Sequence, residues 1–385
     1  MRPAVHWWSN SPQAPTGYGV QTRAVAHYLA DNGFAVSIGS NYGLEATAVT
    51  DTTAQGNPCP IYPRGYDGYS QDTIVAHYMD WARRNKDRRS LLVTLYDVWV
   101  LTNPSLETVP AIASWVPLDH MTMPPAVKAW LDKPNVAPVA MSKFGRDLMA
   151  SQDVEALYIP HSVSPTFRAF PSLDGLLPSL PEDAFLVMMN AANKGKAPTR
   201  KAWTENFLAL APFLKEHPDA FAYIHTEKVT PFGVNLPQLA TACGLPEDRL
   251  LFPPEYAYRI GAFSDEMLAR LYSRADVLLA VSMGEGFGIP TVEAQACGTR
   301  VIGSDAAATP ELLSADSWKV EGQPEWDPQQ QAFWFRPFVH SIYAALEEAY
   351  ATGGGHSHTA ASFAGAYRDD KVVPQWVDLV ERLAA

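Results

Sequence analysis

The sequence Gly284-Glu-Gly-Phe-Gly-Ile-Pro-Thr-Val-Glu-Ala-Gln-Ala-Cys-Gly298 is the most informative stretch of this chain. Pro290 suits the first turn of a helix, because the N–H that proline lacks would have no partner there. Gly298 suits the position just after a helix end. The stretch therefore predicts a glycine-rich loop that opens into a short helix, with Glu285 in the loop and Glu293 about one turn inside the helix.

The start of this helix is a candidate anion site. The first backbone N–H groups of a helix have no partner within it, and they favour a negatively charged ligand. Here these groups belong to Phe287, Gly288 and Ile289. Glycine in the loop also lets a ligand approach the backbone closely. We therefore expect an anionic ligand in front of the helix.

Outside this stretch, short apolar runs alternate with helical patterns, which is typical of parallel βαβ units in a doubly wound α/β fold. The predicted strands are 4–8, 35–39, 90–96, 112–117, 136–141, 156–159, 185–189, 221–225, 249–252, 277–281 and 300–303. The predicted helices are 20–32, 72–84, 143–151, 201–216, 265–273, 290–296 and 372–383. Ligands of such folds bind at the carboxyl ends of the strands.

The chain is long enough for two such domains, since it has 385 residues and domains usually have roughly 100–200. Five prolines fall within residues 160–181, a density that is poor in regular structure and indicates an interdomain linker. The sequence therefore predicts two consecutive α/β domains with a cleft between them.

Composition excludes several classes of protein. A net charge of −12 argues against a protein that binds nucleic acid mainly by electrostatics. Three scattered cysteines form neither a disulfide framework nor a C-x-x-C metal site. The first 17 residues lack an apolar signal run, and the longest apolar run, near 91–101, is interrupted by Asp97. We therefore expect a cytoplasmic protein without a membrane span.

Seven residues separate Glu285 from Glu293, and the stretch continues through Cys297-Gly-Thr-Arg-Val-Ile302 and Thr309-Pro-Glu-Leu-Leu313. This string resembles the E-x7-E motif of retaining GT-B glycosyltransferases, the large "glycosyl transferases group 1" family of glycogen-synthase-like and mannosyltransferase-like enzymes. The resemblance covers about residues 188–313 and is looser in the N-terminal half.

The resemblance implies a GT-B fold, in which two Rossmann-like, doubly wound α/β domains face each other across a cleft. The acceptor domain would be 1–165, completed by a C-terminal helix within 366–385 that crosses back to it. The nucleotide-sugar donor domain would be 166–365.

The resemblance also assigns roles to the central stretch. Glu285 would contact hydroxyls of the donor sugar, and Glu293 would bind the ribose of the nucleotide. The backbone of Phe287, Gly288 and Ile289 would hold the donor sugar and the diphosphate. The simpler alternative for Glu293 is a carboxylate that merely stabilises the helix start by ~0.3–1 kcal/mol.

A basic turn follows the first predicted strand of the second domain, in the run from Asn190 to Lys201. The resemblance assigns Arg200 and Lys201 to the leaving nucleoside diphosphate, with Lys194 as a spare, and includes Asn193 among the donor contacts. Arginine can bind such a group through two parallel hydrogen bonds. The alternative is a solvated basic turn.

Four further sites are predicted, either from the resemblance or from their position. Gly17 and Gly19, after the first strand, resemble the glycine loop of the family's N-terminal domain, although a plain loop would explain them equally well. His120 follows a strand end, and the resemblance implies that a histidine in this region lies close to the donor sugar; the alternative is a core or surface histidine. Tyr258 and Arg259 precede a helix near the expected position of the nucleotide base. Asp97, at another strand end, is a further candidate for the cleft.

The function implied is transfer of a sugar from a UDP- or GDP-type donor, with retention of anomeric configuration. No D-x-D motif occurs, so we expect no metal and no other cofactor. The acceptor stays open among a glycan, a protein, a metabolite and modified DNA. The alternatives are a non-catalytic nucleotide- or carbohydrate-binding protein and a nicotinamide-dependent oxidoreductase. The oxidoreductase is disfavoured because the first glycine run lacks its third glycine.

Overall fold

The computed structural model of the protein describes residues 1–171, 177, 179–195 and 198–385. Two parts of the predicted linker, 172–176 and 178, lie outside the described residues, as do Lys196 and Ala197 of the basic turn. The described residues form two doubly wound sheets and one separate hairpin. No helix among them is long and apolar enough to cross a membrane.

The first half folds around one sheet, whose described strands are parallel except for β3, which runs antiparallel to β4. The strands are β1 Ala4–Ser9, β2 Ala35–Ser40, β3 Val49–Thr52, β4 Pro58–Tyr62, β5 Ser90–Leu95, β6 Ile112–Val116, β7 Val136–Ala140 and β8 Leu157–Tyr158, in the order β3-β4-β2-β1-β5-β6-β7-β8. The helices are α1 Gly17–Asp31, α2 Gln71–Arg84, α3 Pro125–Leu131 and α4 Lys143–Ala150. The sequence patterns predicted neither β3 nor β4 nor α3.

Helix α1 begins earlier than the sequence predicted. Gly17 and Gly19 lie in its first turn, so they do not form a loop before it. The side chain of Thr16 caps the helix by accepting a hydrogen bond from the N–H of Gly19. This cap offsets the low helix propensity of the two glycines. A side chain at Gly19 would also collide with the carbonyl oxygens of Ser11 and Ala14.

The second half folds around a parallel sheet in the order β11-β10-β9-β12-β13-β14. Its strands are β9 Phe185–Asn190, β10 Ala220–His225, β11 Leu250–Leu251, β12 Val277–Ala280, β13 Arg300–Ser304 and β14 Trp318–Val320. The helices around it are α5 Trp203–Glu216, α6 Leu236–Cys243, α7 Glu255–Arg259, α8 Asp265–Arg274 and α9 Ile289–Ala296. Helix α9 is the one predicted from the central stretch.

A hairpin follows that the sequence patterns did not predict. It consists of β15 Gly322–Asp327 and β16 Ala332–Pro337, paired antiparallel, and it leads into α10 Val339–Thr352. The strand β15 contains a proline and two carboxylates, so its sequence lacks the alternation of a half-buried strand. The pairing with β16, and not the sequence pattern of β15, therefore specifies this strand.

The chain ends by returning to the first sheet. After α11 His358–Ala364 the chain forms α12 Asp369–Val372 and α13 Gln375–Leu383, with Pro374 directly before α13. Helix α13 covers most of the predicted helix 372–383. Trp376 is fully buried, and its ring centroid lies 5.1 Å from that of Trp7 and 4.8 Å from that of Trp115. The final helix is therefore part of the core beneath the N-terminal sheet.

The two sheets meet where the loop after β6 contacts the loop after β12. A Cβ atom on Gly284 would lie 1.8 Å from the carbonyl oxygen of Asp119, and one on Gly286 would lie 2.6 Å from the Cβ of Pro117. Real Cβ atoms do not approach other atoms so closely. Glycine at these two positions therefore lets the two halves close on each other, which brings both sets of strand ends into one cleft.

Candidate active site

An ion cluster fills the centre of the cleft. Arg200 lies between β9 and α5, and its Nη1 donates to the carbonyl oxygen of Gly284 at 2.7 Å and to Glu285 Oε2 at 3.1 Å. Lys201 Nζ donates to the other oxygen, Oε1 of Glu285, at 2.5 Å. One carboxylate thus serves as the counter-charge of two adjacent cations.

The electrostatics of this cluster favour its charged form. Burial alone would raise the pKa of Glu285, but the charges and hydrogen bonds of Lys201 and Arg200 outweigh it and lower the pKa to about 2. Burial and the neighbouring Arg200 lower the pKa of Lys201, against the opposing effect of Glu285. Glu285 is therefore the main counter-charge of the two cations, and Asp119 is a second one for Arg200.

A second chain of charges joins the two halves through His120. Its Nδ1 lies 2.8 Å from Asp119 Oδ1, and its Nε2 lies 3.2 Å from Asp327 Oδ2 on the hairpin. Burial alone would lower the pKa of His120, but the two carboxylates raise it above its usual value. Asp119 also lies 3.6 Å from Arg200 Nε. The carboxylates at the two ring nitrogens therefore favour the imidazolium form of His120.

The opposite wall carries Tyr18 and Asp97, at the start of α1 and after the end of β5. The hydroxyl of Tyr18 donates to Asp97 Oδ1 at 3.2 Å. The Asp97 side chain is open to the cleft, although atoms of both halves crowd around it. This removal from bulk water, together with the charge of Asp119, raises the pKa of Asp97 to about 6.

The predicted anion site lies beside this cluster. Gly288 has a φ of 106°, in the left-handed region that favours glycine, and it precedes the first residue of α9. Phe287 is buried between His161 and Tyr367, with ring centroids 5.2 Å and 5.7 Å away. A Cβ atom on Gly17 would lie 3.1 Å from Cδ1 of Ile289. The starts of α1 and α9 therefore face each other at close range.

Glu293 lies inside α9 and away from the ion cluster. Its side chain is almost fully buried, and Oε2 accepts a hydrogen bond from the hydroxyl of Tyr272 at 3.1 Å. Asn190, at the end of β9, donates to the same hydroxyl at 2.7 Å. Burial raises the pKa of Glu293 to about 8, a rise that the Tyr272 hydrogen bond only partly opposes. Among the residues that the structure describes, no cation pairs with this buried carboxyl, which makes its burial costly for folding.

The remaining predicted donor contacts form a separate group at one end of the cleft. Asn193 uses its amide to hold the loop 227–234, donating to the carbonyls of Glu227 at 3.0 Å and Val234 at 2.7 Å. Arg259 pairs with the Glu227 side chain at 2.7 Å and is half exposed. Nearby, Tyr258 packs edge-on against the ring of His225. In this structure these side chains chiefly organise a loop.

Lys194 reaches across to the first half of the chain. Its Nζ lies over the ring of Tyr42, 5.4 Å from the centroid. It therefore contacts neither Glu285 nor the two clustered cations, in contrast to Arg200 and Lys201.

Sequence reasoning missed Asp327 and the partnership of Tyr18 with Asp97. Asp327 lies 207 residues from His120 in the chain and belongs to the hairpin that no pattern predicted. The backbone N–H of Met121 donates to the carbonyl of Phe333 at 2.7 Å, which fixes the hairpin against the loop after β6. A contact of this kind has no local sequence signal.

Comparison with known proteins finds a match to part of the chain. Residues 258–332 match the family described as Glycosyl transferases group 1. The matched residues contain α9 and both glutamates of the central stretch.

Relatives with established names match short parts of the chain. The serotype-specific mannosyltransferase WbdA of Escherichia coli is 32% identical over 104 residues, which are 27% of this chain and 11% of that protein. The MMP alpha-(1->4)-mannosyltransferase of Mycolicibacterium hassiacum is 47% identical over 53 residues, 14% of this chain and 13% of that protein. The chain thus spans only about an eighth or less of these two relatives.

Solved structures are similar to almost the whole length of the chain. Sucrose-phosphate synthase from Thermosynechococcus elongatus superimposes with a TM-score of 0.74 at 16% identity and covers 99% of both chains. Anabaena HepE in complex with UDP and glucose gives a TM-score of 0.67 at 14% identity, covering 98% of this chain and 99% of that one. The fold of the protein is GT-B.

Proposed function

We propose that the protein is a glycosyltransferase that moves a sugar from a nucleoside-diphosphate sugar to an acceptor hydroxyl, with retention of configuration and without a metal. One observation carries the proposal. Arg200 and Lys201 lie side by side in the cleft and share Glu285 as their counter-charge, next to the start of α9. A diphosphate could therefore replace the carboxylate of Glu285 as the counter-charge of these two cations.

Departure of the diphosphate is the step that these cations would assist. As the bond between the anomeric carbon and the diphosphate oxygen breaks, negative charge grows on the leaving group. Arg200 and Lys201 would stabilise that charge in a site that excludes much of the water. Glu285, released from its two partners, would accept hydrogen bonds from hydroxyls of the donor sugar.

Retention of configuration fits an attack on the face from which the diphosphate leaves. The acceptor oxygen bonds to the anomeric carbon, and its proton passes to an oxygen of the departing diphosphate. His120 is held between Asp119 and Asp327, so it takes no proton in this scheme and contributes positive charge instead. The protein supplies alignment and electrostatic stabilisation.

The donor probes follow from the named relatives. HepE was solved with UDP and glucose, and WbdA is named as a mannosyltransferase. UDP-glucose and GDP-mannose are therefore the first donors to test.

We expect transfer from the active donor to proceed in EDTA and to give a product with the donor's anomeric configuration. The measurement is the anomeric proton coupling in the NMR spectrum of the product, recorded from reactions with EDTA and with added Mg²⁺. An inverted anomer, or activity only with Mg²⁺, would contradict the proposal. Donor binding without turnover toward any acceptor or water would indicate a binding protein.

Replacing Glu293 by Gln is expected to stabilise the free protein and to weaken donor binding. The pKa of about 8 in the folded state exceeds the 4.5 that is usual for a glutamate carboxyl, so unfolding releases a proton between these pH values and stability falls as pH rises. Glutamine does not titrate, so the variant does not lose this stability. The loss in the free energy of unfolding is at most ~1.4 kcal/mol for each pH unit between the two pKa values. The measurement is the melting temperature of the variant and of the unmodified protein at pH 5 and pH 8. The variant should be much more stable than the unmodified protein only at pH 8.

Nucleotide affinity, measured by calorimetry, should fall in the same variant, because an amide accepts hydrogen bonds from ribose hydroxyls through one oxygen only. Glu205→Gln is the matched control, since Glu205 is equally buried but is paired with Arg336. This control should lose stability. A Glu293→Gln variant that is less stable at pH 8 and binds nucleotide normally would make Glu293 a structural residue.

A further inference from the structure

Asp97 is a carboxylate that the donor scheme does not use. Tyr18 occupies its Oδ1, and in the described part of the chain no group donates a hydrogen bond to Oδ2. The side chain is nonetheless open to the cleft, on the wall opposite Arg200 and Lys201. A carboxylate oxygen without a partner, facing the reacting centre, is available to a ligand's hydroxyl groups.

Two aromatic rings pair beside the segment that carries Asp97. Trp99 is two residues further along the chain and partly exposed, and its ring lies edge-on to that of Tyr69, with centroids 6.2 Å apart. Tyr69 is 45% exposed. Burial raises the pKa of the Tyr96 hydroxyl, and the charges of Asp97 and Tyr69 raise it further.

The rim is held rigidly before any ligand arrives. Gln71 Oε1 accepts hydrogen bonds from the N–H groups of Thr102 and Asn103, at 2.7 Å and 2.9 Å, which joins the loop of Tyr69 to that of Trp99. Asp67 accepts from the backbone N–H of Tyr69 at 2.8 Å and so fixes the turn that presents this ring. A pre-organised aromatic surface loses little entropy when it binds.

The charge on this wall opposes a phosphorylated ligand. Asp97 faces the cleft and Asp67 lies in the adjoining loop, whereas Asp119 is already paired with His120 and Arg200. The basic side chain of that loop, Arg64, is turned toward the carbonyls of Gly65 and Asp67. Like charges placed together cost enough to exclude a wrong ligand.

We propose that Asp97, Tyr18, Tyr69 and Trp99 form the acceptor subsite and that it takes a neutral, unphosphorylated saccharide. Asp97 would accept hydrogen bonds from two neighbouring hydroxyls, and the rings of Tyr69 and Trp99 would cover the apolar C–H face of the sugar. The proposal rests on the proposed glycosyltransferase function and names the acceptor class that it leaves open. It disfavours DNA and sugar phosphates as acceptors, because both would bring negative charge to Asp97.

The test compares acceptors on the full-length protein with the donor held at saturation. The probes are methyl α-mannoside, methyl α-glucoside, maltose, glucose 6-phosphate, mannose 6-phosphate and a duplex containing hydroxymethylated cytosine. We expect transfer to a neutral saccharide and at least tenfold lower kcat/KM for its phosphorylated form. A phosphorylated sugar or the duplex used as well as, or better than, the neutral saccharides would overturn the proposal.

Variants separate this subsite from the donor site. We expect Asp97→Asn and Tyr69→Ala each to raise the acceptor KM at least tenfold, while the affinity for the nucleotide changes less than about twofold. Tyr66→Ala is the matched control, because Tyr66 lies on the same loop, is fully exposed and is not part of the ring pair. Its acceptor KM should equal that of the unmodified protein.

A wrong subsite assignment and a wrong glycosyltransferase function would give different results. If Tyr69→Ala and Asp97→Asn transfer to saccharides with an unchanged acceptor KM, the subsite assignment is wrong while the glycosyltransferase function stands. If no nucleotide sugar is bound or cleaved, the glycosyltransferase function itself fails.

Discussion

The double variant Arg200→Ala with Lys201→Ala should lose at least a thousandfold in turnover. Both cations lie against Glu285 in the free protein, and in the proposed reaction both stabilise the charge that develops on the leaving diphosphate. Loss of one such interaction commonly costs ~2.7–4 kcal/mol in the transition state, which is about 10²–10³ in rate. Two neighbouring cations need not contribute additively, so a thousandfold is a conservative expectation.

Single-turnover transfer at saturating donor measures this effect on the chemical step. The control is Arg83→Ala with Arg84→Ala, an adjacent basic pair on the exposed face of α2 that removes the same charge far from the cleft. This control should keep normal turnover. Equal rates in the two double variants would make the basic turn a solvated surface feature, the alternative that its sequence left open.

Much of the fold followed from the sequence, because each βα unit carries its own signal. The parallel strands of both sheets are buried and strongly apolar, and the helix from Ile289 to Ala296 follows directly from Pro290 and the glycines around it. The exceptions are segments whose intrinsic secondary-structure propensity differs from the structure that they adopt. Gly17 and Gly19 are poor helix formers, yet they become helical because Thr16 caps the turn.

The sequence could predict which strand ends carry polar groups but not which groups would become partners. Arg200 and Glu285 both follow strand ends of one sheet, so their proximity is a consequence of the βα topology. The contact of His120 with Asp327 depends instead on a polar hairpin that folds across the cleft. Its strands are specified by pairing with each other and by the hydrogen bond that the backbone N–H of Phe333 donates to the hydroxyl of Thr122, which are properties of the folded chain only.

Glu285→Gln should lower the melting temperature of the free protein, and UDP should restore most of the loss. Without the carboxylate, Lys201 loses its counter-charge and Arg200 keeps only Asp119, at 3.6 Å. Breaking a buried ion pair costs ~3–5 kcal/mol. Because about a third of the Arg200 side chain is exposed, with a relative area of 35%, we expect the smaller cost of about 2–3 kcal/mol, or roughly 2–4 °C for a chain of 385 residues.

A diphosphate can supply the missing negative charge, so the stabilisation by UDP should be larger in Glu285→Gln than in the unmodified protein. The measurement is the melting temperature as a function of UDP concentration, at a pH of 7. Glu347→Gln is the control, because Glu347 pairs with His217 at 3.0 Å on the outer side of the second half, away from the cleft. UDP should raise its melting temperature only as much as that of the unmodified protein.

This comparison tests where the diphosphate binds independently of catalysis. In the proposed donor site, Glu285 and the diphosphate would compete for the same two cations, so their stabilising effects would not add in the unmodified protein. Removing the competitor lowers stability and strengthens the response to UDP, while it weakens transfer because the donor sugar loses its hydrogen-bond partner. If UDP raises the melting temperature equally in all three proteins, the diphosphate does not bind at Arg200 and Lys201, and the donor site must be sought elsewhere in the cleft.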